Sequence, residues 1–304
     1  MAEGGCAAIM PTVITSPLDV YERVLPMMRD VLDGNGDAED LKDRLLGIHL
    51  EGPFITFAGA HAVEHMQSRA DVQLLRRWQD LAGGHIRLVT MAADVDGMAE
   101  FCDEAKRMGI RISLGHQLAT TPAIRDAVQH GATLLTHFGN AMPGTVPRFD
   151  NAFWVGLSDD RLHTMLISDG VHVPPEFLGA TLRAKGVERC IVTSDVAPVA
   201  GLASGEYTCF NTRVIVDGLK VRSAAFPDRL AGSGSLMLHC MNHLASLGDL
   251  LSEQRSLTLR ELELVGFYNP LQALGIDGIA WCKQIYKGPR CVVWHDDDRQ
   301  FSLL

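Results

Sequence analysis

Residues 98–137 read MAEFCDEAKRMGIRISLGHQLATTPAIRDAVQHGATLLTH, and this stretch decides the fold. Met98, Phe101, Cys102, Ala105 and Met108 recur at the three-and-four spacing of an amphipathic helix, and Gly109 stands where a left-handed C-terminal cap belongs. Ile110–Leu114 follows as a short β-branched run closed by Gly115. A second helix is expected from Thr121, read as its N-cap with Pro122 at the first helical position. Ala123, Ile124, Ala127 and Val128 face inward, and Gly131 ends it. Thr133–Leu135 then supplies the next strand. Strands joined through a helix are parallel neighbours, so the segment predicts a parallel sheet covered by helices.

Outward from this segment the rhythm continues. Further strands are expected at Ala7–Ile14, Leu45–Leu50, Ile86–Met91, Thr164–Ile167 and Cys190–Thr193, which makes seven, near the eight of a closed barrel. An open doubly wound sheet shares the alternation, but the count favours a TIM-like (β/α)8 barrel. One stretch breaks the pattern: Thr208, Phe210, Thr212, Val214 and Val216 alternate with polar or small residues, and Asp217-Gly218 signals a turn, so a β-hairpin is expected there. Helices return from Gly234, with Leu236, Met237, Cys240 and Leu244 on one face.

Composition narrows the function classes. With 304 residues, 47% hydrophobic and 21% charged, the chain has the means to bury a large core. Its net charge of −10 disfavours a nucleic-acid backbone as partner and leaves room for a local cationic pocket. No apolar run approaches the roughly 20 residues of a bilayer span, so no membrane association is expected. Met1 to Met10 lacks the basic and apolar regions of a secretory signal. Seven cysteines without a Cys-x-x-Cys pair read as reduced thiols, and a cytoplasmic location follows.

Five ionisable residues fall just after predicted strands: Glu51, His116, His137, His172 and Asp195. In a barrel that is the C-terminal rim, where active sites are built. Glu51, His116 and His137 supply a carboxylate and two imidazoles, ligands that suit Zn²⁺ or Fe²⁺ and leave a position open for water. Asp195 is placed to take a proton from that water and return it to a leaving group. Asp169 competes for this role, but Asp169-Gly170 also makes an ordinary Asx turn, and Asp195 is preferred. His61 and His172 remain to hold or polarise a substrate.

Other suggestive residues are set aside. His239 and His243 lie four apart, yet Cys240 stands where a metalloprotease glutamate would be, and packing or surface is the better reading. Asp33-Gly34-Asn35-Gly36-Asp37 begins like a calcium loop, but Ala38 and Arg44 replace its essential residues. Gly232-Ser233-Gly234-Ser235 is neither a nucleophile elbow nor a phosphate loop. His85, His130, His163 and His295 read as surface or strand-end residues.

Assembled, these residues resemble the N-acetylglucosamine-6-phosphate deacetylase family of the amidohydrolase superfamily. The similar blocks are Gly47-Ile48-His49-Leu50-Glu51-Gly52-Pro53-Phe54, Gly59-Ala60-His61, Gly115-His116, Thr136-His137-Phe138-Gly139-Asn140-Ala141-Met142-Pro143, Asp169-Gly170-Val171-His172-Val173, Thr193-Ser194-Asp195 and Leu230-Ala231-Gly232-Ser233. They run in family order from about residue 7 to 275. The resemblance implies a (β/α)8 metal-dependent hydrolase barrel that binds one divalent ion through Glu51, His116 and His137, with Asp195 as general acid and base. It further implies His61 near the acetyl carbonyl, and Ala60, Asn140, Ala141 and His172 against a sugar phosphate. Arg148 sits at the family's phosphate-binding position, and a Leu230–Gly232 loop closes over the substrate. A guanidinium is the best bidentate partner for phosphate, so Arg148 also makes chemical sense in a net-acidic chain. A homodimer is the family analogy.

Four departures shape the expectation. Ala7–Ile14 resembles the second barrel strand with nothing before it to be the first, so a His-x-His pair is missing and a binuclear centre is not expected. Ala92-Ala93-Asp94 stands where the family has Ala-Pro-Glu, Gly139 replaces a bulkier residue, and the tail Cys291–Leu304 does not match the usual closing strand. The accessory β-sandwich is therefore expected to be absent or vestigial, with residues 1–275 as barrel domain and 276–304 as tail. The expected activity is hydrolysis of the N-acetyl amide of N-acetylglucosamine 6-phosphate to glucosamine 6-phosphate and acetate. The rival expectations are a truncated, weakly active or non-catalytic sugar-phosphate-binding barrel, and an amidohydrolase for another N-acyl sugar or a cyclic amide.

Overall fold

The structure is a computed structural model that describes residues 4–35, 43–210, 212–251, 255–285 and 292–303. Gly36, Asp37 and Ala38 of the calcium-like loop, and Cys291 and Leu304 of the tail, lie outside the described residues.

Two compact units are distinguished. The first comprises the described residues of 7–136 and 141–162. In it β1 (Thr12–Ile14), β2 (Ile48–Glu51), β3 (Ile86–Met91), β4 (Arg111–Leu114) and β5 (Ala132–Leu135) pair in parallel, each with the next. Helices α1 (Leu18–Leu32), α2 (Val72–Leu81), α3 (Met98–Arg107) and α4 (Thr121–Gln129) connect them, and α5 (Ala152–Ser158) follows.

Alternation along the strands sorts the side chains. Ile48, Leu50, Val89, Met91, Ile112 and Leu114 turn to the helices and are buried. There Tyr21 stacks on Trp78 at 4.5 Å and Phe101 meets Phe54 edge-on at 5.0 Å. Sequence-local chemistry sets the helix ends. Asp71 caps α2 by accepting from Gln73 and Leu74 N–H, and Gln79 at its far end exchanges hydrogen bonds with both backbone groups of Ile86, fixing where β3 begins. Gly109 and Gly131 both follow their helices at positive φ, as expected. The start of α4 differs by one residue: Thr120 is its N-cap, and the Thr121 N–H is instead taken by the Asp150 carboxylate at 2.6 Å.

The second unit comprises the described residues of 1–6, 137–140 and 163–304. Here β6 (His163–Leu166) pairs in parallel with β7 (Cys190–Val192), and α6 (Pro175–Lys185) joins them. All seven expected strands are thus present, and the fold class is the (β/α)8 barrel with seven strands recognisable among the described residues.

After β7 come β8 (Gly205–Cys209), β9 (Thr212–Asp217), β10 (Lys220–Ser223) and β11 (Leu230–Ser233), an antiparallel sheet. The expected Asp217-Gly218 turn joins β9 to β10, with Gly218 at φ 58°. The alternating run before it is broken, however, because Phe210 at φ 53° ends β8 and makes β8–β9 a second hairpin. Leu230–Gly232, expected as a loop, is instead strand β11, held by pairing Arg222 with Leu230 and Lys220 with Ser233. Helices α7 (Met237–Ser246), α8 (Leu259–Glu263), α9 (Asn269–Ala273) and α10 (Gly278–Ile285) follow, then the hairpin of β12 (Val292–His295) and β13 (Gln300–Leu303). Asn242 of α7 bonds both backbone groups of Phe301 and so docks that hairpin.

Candidate active site

In the first unit Glu51 ends β2 with a buried side chain, because residues of its parity on the strand face away from the helices. The chain then turns at Gly52, whose φ is 84°; a Cβ there would collide with the Thr15 hydroxyl, which donates to the Glu51 carbonyl at 3.1 Å. Beyond the turn, Thr56 and Phe57 N–H both donate to the His116 carbonyl. This return brings the Phe57 carbonyl to 3.1 Å from His116 Nδ1.

Three donor groups converge. His116 Nε2 is 3.1 Å from Glu51 Oε1, His61 Nε2 is 3.9 Å from Glu51 Oε2, and one ligand atom from each lies within 4.8 Å of the others. The His61 and His116 rings are 4.3 Å apart. These groups fit a divalent cation on their own chemistry. With Nδ1–H donated to the Phe57 carbonyl, a neutral His116 presents the Nε2 lone pair to a carboxylate oxygen, an arrangement that a cation between them satisfies. Outside the cluster, Thr56 gives its hydroxyl to Asp94 at 2.8 Å and accepts from the Leu118 N–H at 3.0 Å, tying three rim loops around His116.

In the second unit Asp169 is fully engaged. Its Oδ1 accepts from Val171 and His172 N–H, and its Oδ2 accepts from His172 Nδ1 and the Ser233 hydroxyl, both at 2.8 Å. Burial alone would push its carboxyl up, but the hydrogen bond and charge of His172, with the two N–H donors, hold it well below the usual carboxylate range. Asp169 is therefore an orienting group for His172, and the Asx turn expected from the sequence is present. His239 and His243, expected as packing or surface residues, bond the Asp169 and Ser168 carbonyls from α7.

Asp195 is half-buried, at φ 49°. Its carbonyl accepts from Ser233 N–H at 2.7 Å, and the Ser233 carbonyl accepts from Ala197. Gly232 permits this approach, since a Cβ there would sit 3.1 Å from the Asp195 carbonyl oxygen. Asn140 folds back on His137, giving its backbone and side-chain N–H groups to the His137 carbonyl.

Of the predicted residues the structure brings together Glu51, His61 and His116, with Ala60 beside His61. His137, Asn140, His172, Asp195, Leu230, Ala231 and Gly232 stand in the second unit. Ala141 and Arg148 belong to the first; Arg148 is exposed, 5.9 Å from the Phe149 ring centroid. A backbone signature marks several of them. Among the described residues seven non-glycine positions have positive φ, and His116, His137, Ala141 and Asp195 are four of these. Each such residue costs on the order of 1–3 kcal/mol and persists where its surroundings impose it, typically at functional sites.

Parallel strands whose C-terminal ends carry a carboxylate and imidazoles define a (β/α) barrel of the amidohydrolase type. No family model matches the chain. It is 36% identical over 262 residues to an N-acetylglucosamine-6-phosphate deacetylase of Bos taurus, covering 79% of this chain and 59% of that protein. To the protein of the same name from Danio rerio it is 31% identical over 292 residues, 90% of this chain and 66% of that one. The chain therefore spans under two thirds of the length of either relative. A solved N-acetyl-D-glucosamine-6-phosphate deacetylase variant from Mycobacterium smegmatis, in complex with N-acetyl-D-glucosamine-6-phosphate, superposes with a TM-score of 0.84 at 25% identity, covering all of this chain and 76% of that one. Over most of its length the chain is thus similar to N-acetylglucosamine-6-phosphate deacetylases.

Proposed function

We propose that the chain hydrolyses the N-acetyl amide of N-acetylglucosamine 6-phosphate, releasing acetate and glucosamine 6-phosphate, at a site that holds one divalent cation, Zn²⁺ or Fe²⁺. The observation that carries this reading is the convergence of Glu51, His61 and His116. Glu51 and His116 hold the ion, with His137 as the further ligand. When bound, such an ion acidifies a water and draws charge from a carbonyl oxygen.

The remaining steps fall to side chains. Asp195 accepts a proton from the attacking water and delivers it to the departing amine nitrogen. His61 hydrogen-bonds the acetyl oxygen as negative charge builds there. His172, oriented through Nδ1 by Asp169, offers Nε2 as a hydrogen-bonding partner to a sugar hydroxyl. Ala60, Asn140 and Ala141 contact the sugar phosphate, Arg148 pairs with the phosphate, and Leu230, Ala231 and Gly232 cover the substrate as part of β11.

The reading includes residues 1–275 as the hydrolase domain, 276–304 as an appended tail, a homodimer and a cytoplasmic location. Six described cysteines are free thiols, which suits a reducing compartment. Among the described residues no helix is long and apolar enough to cross a membrane.

The test is elemental analysis of the purified chain together with acetate release from a panel of N-acetylhexosamines, with and without the 6-phosphate. Turnover confined to N-acetylglucosamine 6-phosphate supports the full reading. Bound metal with no acetate from any member would overturn the deacetylase assignment.

A further inference from the structure

On the interior face of the first unit a row of hydrogen-bonding side chains stands beside apolar ones, where barrels ordinarily pack branched apolar side chains. Thr12 Oγ1 meets His49 Nδ1 at 3.0 Å, His49 Nε2 meets Thr90 Oγ1 at 2.8 Å, Thr90 meets Thr136 at 2.7 Å, and Thr136 meets Ser113 at 2.6 Å. These residues lie on β1, β2, β3 and β4 and just after β5, so one hydrogen-bonded belt crosses all five strands. Thr90, Ser113 and Thr136 are buried. A buried hydroxyl is costly unless bonded, so the belt is stable only as a whole.

We propose that His49 is a positioning residue, the link through which this belt holds the strand ends bearing Glu51 and His116 in alignment for a divalent cation. The proposal rests on the metal reading of those two residues. His49 shares its face of β2 with Glu51, two positions on, and a slip of one residue in that strand would carry both to the opposite face. Just beyond the belt the backbone bonds Gly52 N–H to Thr90, Gly115 N–H to Met91 and Thr136 N–H to Leu114 join the ends of the same strands. Each interior hydroxyl can donate only once, and the two imidazole nitrogens, one toward β1 and one toward β3, link the donor order of one strand to that of the next. An apolar residue at 49 separates Thr12 from the three remaining hydroxyls.

The test compares full-length wild type with His49→Leu, His49→Gln, Thr90→Val and Thr90→Ser, using Co²⁺ as probe. His49→Leu and Thr90→Val are expected to raise the Co²⁺ Kd about 10- to 100-fold, to change the visible absorption of the bound ion, and to speed amide exchange at Gly52, Gly115 and Thr136 while β6 and β7 keep their protection. His49→Gln and Thr90→Ser, which retain hydrogen-bonding capacity, are expected to recover most of the affinity. The near-isosteric Thr90 pair carries the test should His49→Leu fail to fold. Wild-type Co²⁺ affinity, spectrum and exchange in the folded His49→Leu or Thr90→Val variant would overturn this proposal alone. A wild type that binds no divalent ion overturns the metal reading and this proposal with it.

Discussion

His116 Nε2 lies 3.1 Å from Glu51 Oε1 while the same ring turns Nδ1 to the Phe57 carbonyl, also at 3.1 Å. Where the carbonyl takes the one N–H of a neutral imidazole, a lone pair and a carboxylate oxygen face each other in a buried place, an approach that a bound cation would relieve. What the pair does for folding is thereby separable from what it does for chemistry.

Glu51→Gln exploits the separation. Replacing the carboxylate by an amide removes a buried charge, so in the presence of a chelator the variant is expected to be at least as stable as wild type. With metal supplied it should bind the ion poorly and lose about 10³-fold or more in kcat, corresponding to several kcal/mol of transition-state stabilisation. Urea melts with and without chelator, paired with acetate release, check both halves.

Gly59→Ala probes the same ring from the other side. Gly59 is at φ 58°, and a Cβ there would lie 3.2 Å from His116 Cε1 and 3.3 Å from the Ala141 Cβ. The substitution should displace His116, weaken metal binding about tenfold in line with the sensitivity of ligand-orienting groups, and leave the Trp78 core untouched. Isothermal titration with Zn²⁺ measures the first effect and near-ultraviolet circular dichroism the second.

Asp195→Asn removes the proposed proton carrier and keeps the side-chain size. The Asp195 main chain is held by Ser233 and does not depend on the carboxylate. The expected result is a loss of about 10²–10⁴ in kcat with little change in KM. Activity near the wild-type level would remove Asp195 from the mechanism.

Asp169→Asn tests the orienting role through pH. The folded-state pKa of Asp169 is depressed, chiefly against burial and through His172. Its stabilisation is therefore complete above an unfolded value of about 3.9 and is lost as pH falls below that, toward the folded pKa. The variant should be about 1.5–3 kcal/mol less stable at neutral pH and should show a flatter decline of stability below about pH 4. Chemical denaturation from pH 7 to pH 3 reads both.

The strands were legible because each is a compact β-branched run bounded by glycine or charge, and helix ends at Gly109 and Gly131 because a positive φ there favours one residue type. Phe210 escaped notice, since nothing in an alternating sequence marks a phenylalanine that turns at φ 53°. The cap at Thr120 rather than Thr121 depends on Asp150, a partner 29 residues away. The sequence points to His61 as a substrate contact; its place against Glu51 depends on a loop return fixed by Thr56 and Phe57 bonding the His116 carbonyl. The belt did leave a signal. His49, Thr90 and Ser113 occupy inward positions of strands whose outward neighbours are all large and apolar, so strand parity beside Glu51 marks them.

The proposed function has the Glu51 and His116 pair hold a metal ion with which the chain cleaves an N-acetyl amide. The most direct measurement is acetate released from N-acetylglucosamine 6-phosphate by the metal-loaded chain, beside the chelated chain and Glu51→Gln. Acetate and free amine are expected in equal amounts from the loaded chain alone. Acetate release that persists undiminished in the chelated chain or in Glu51→Gln would contradict it.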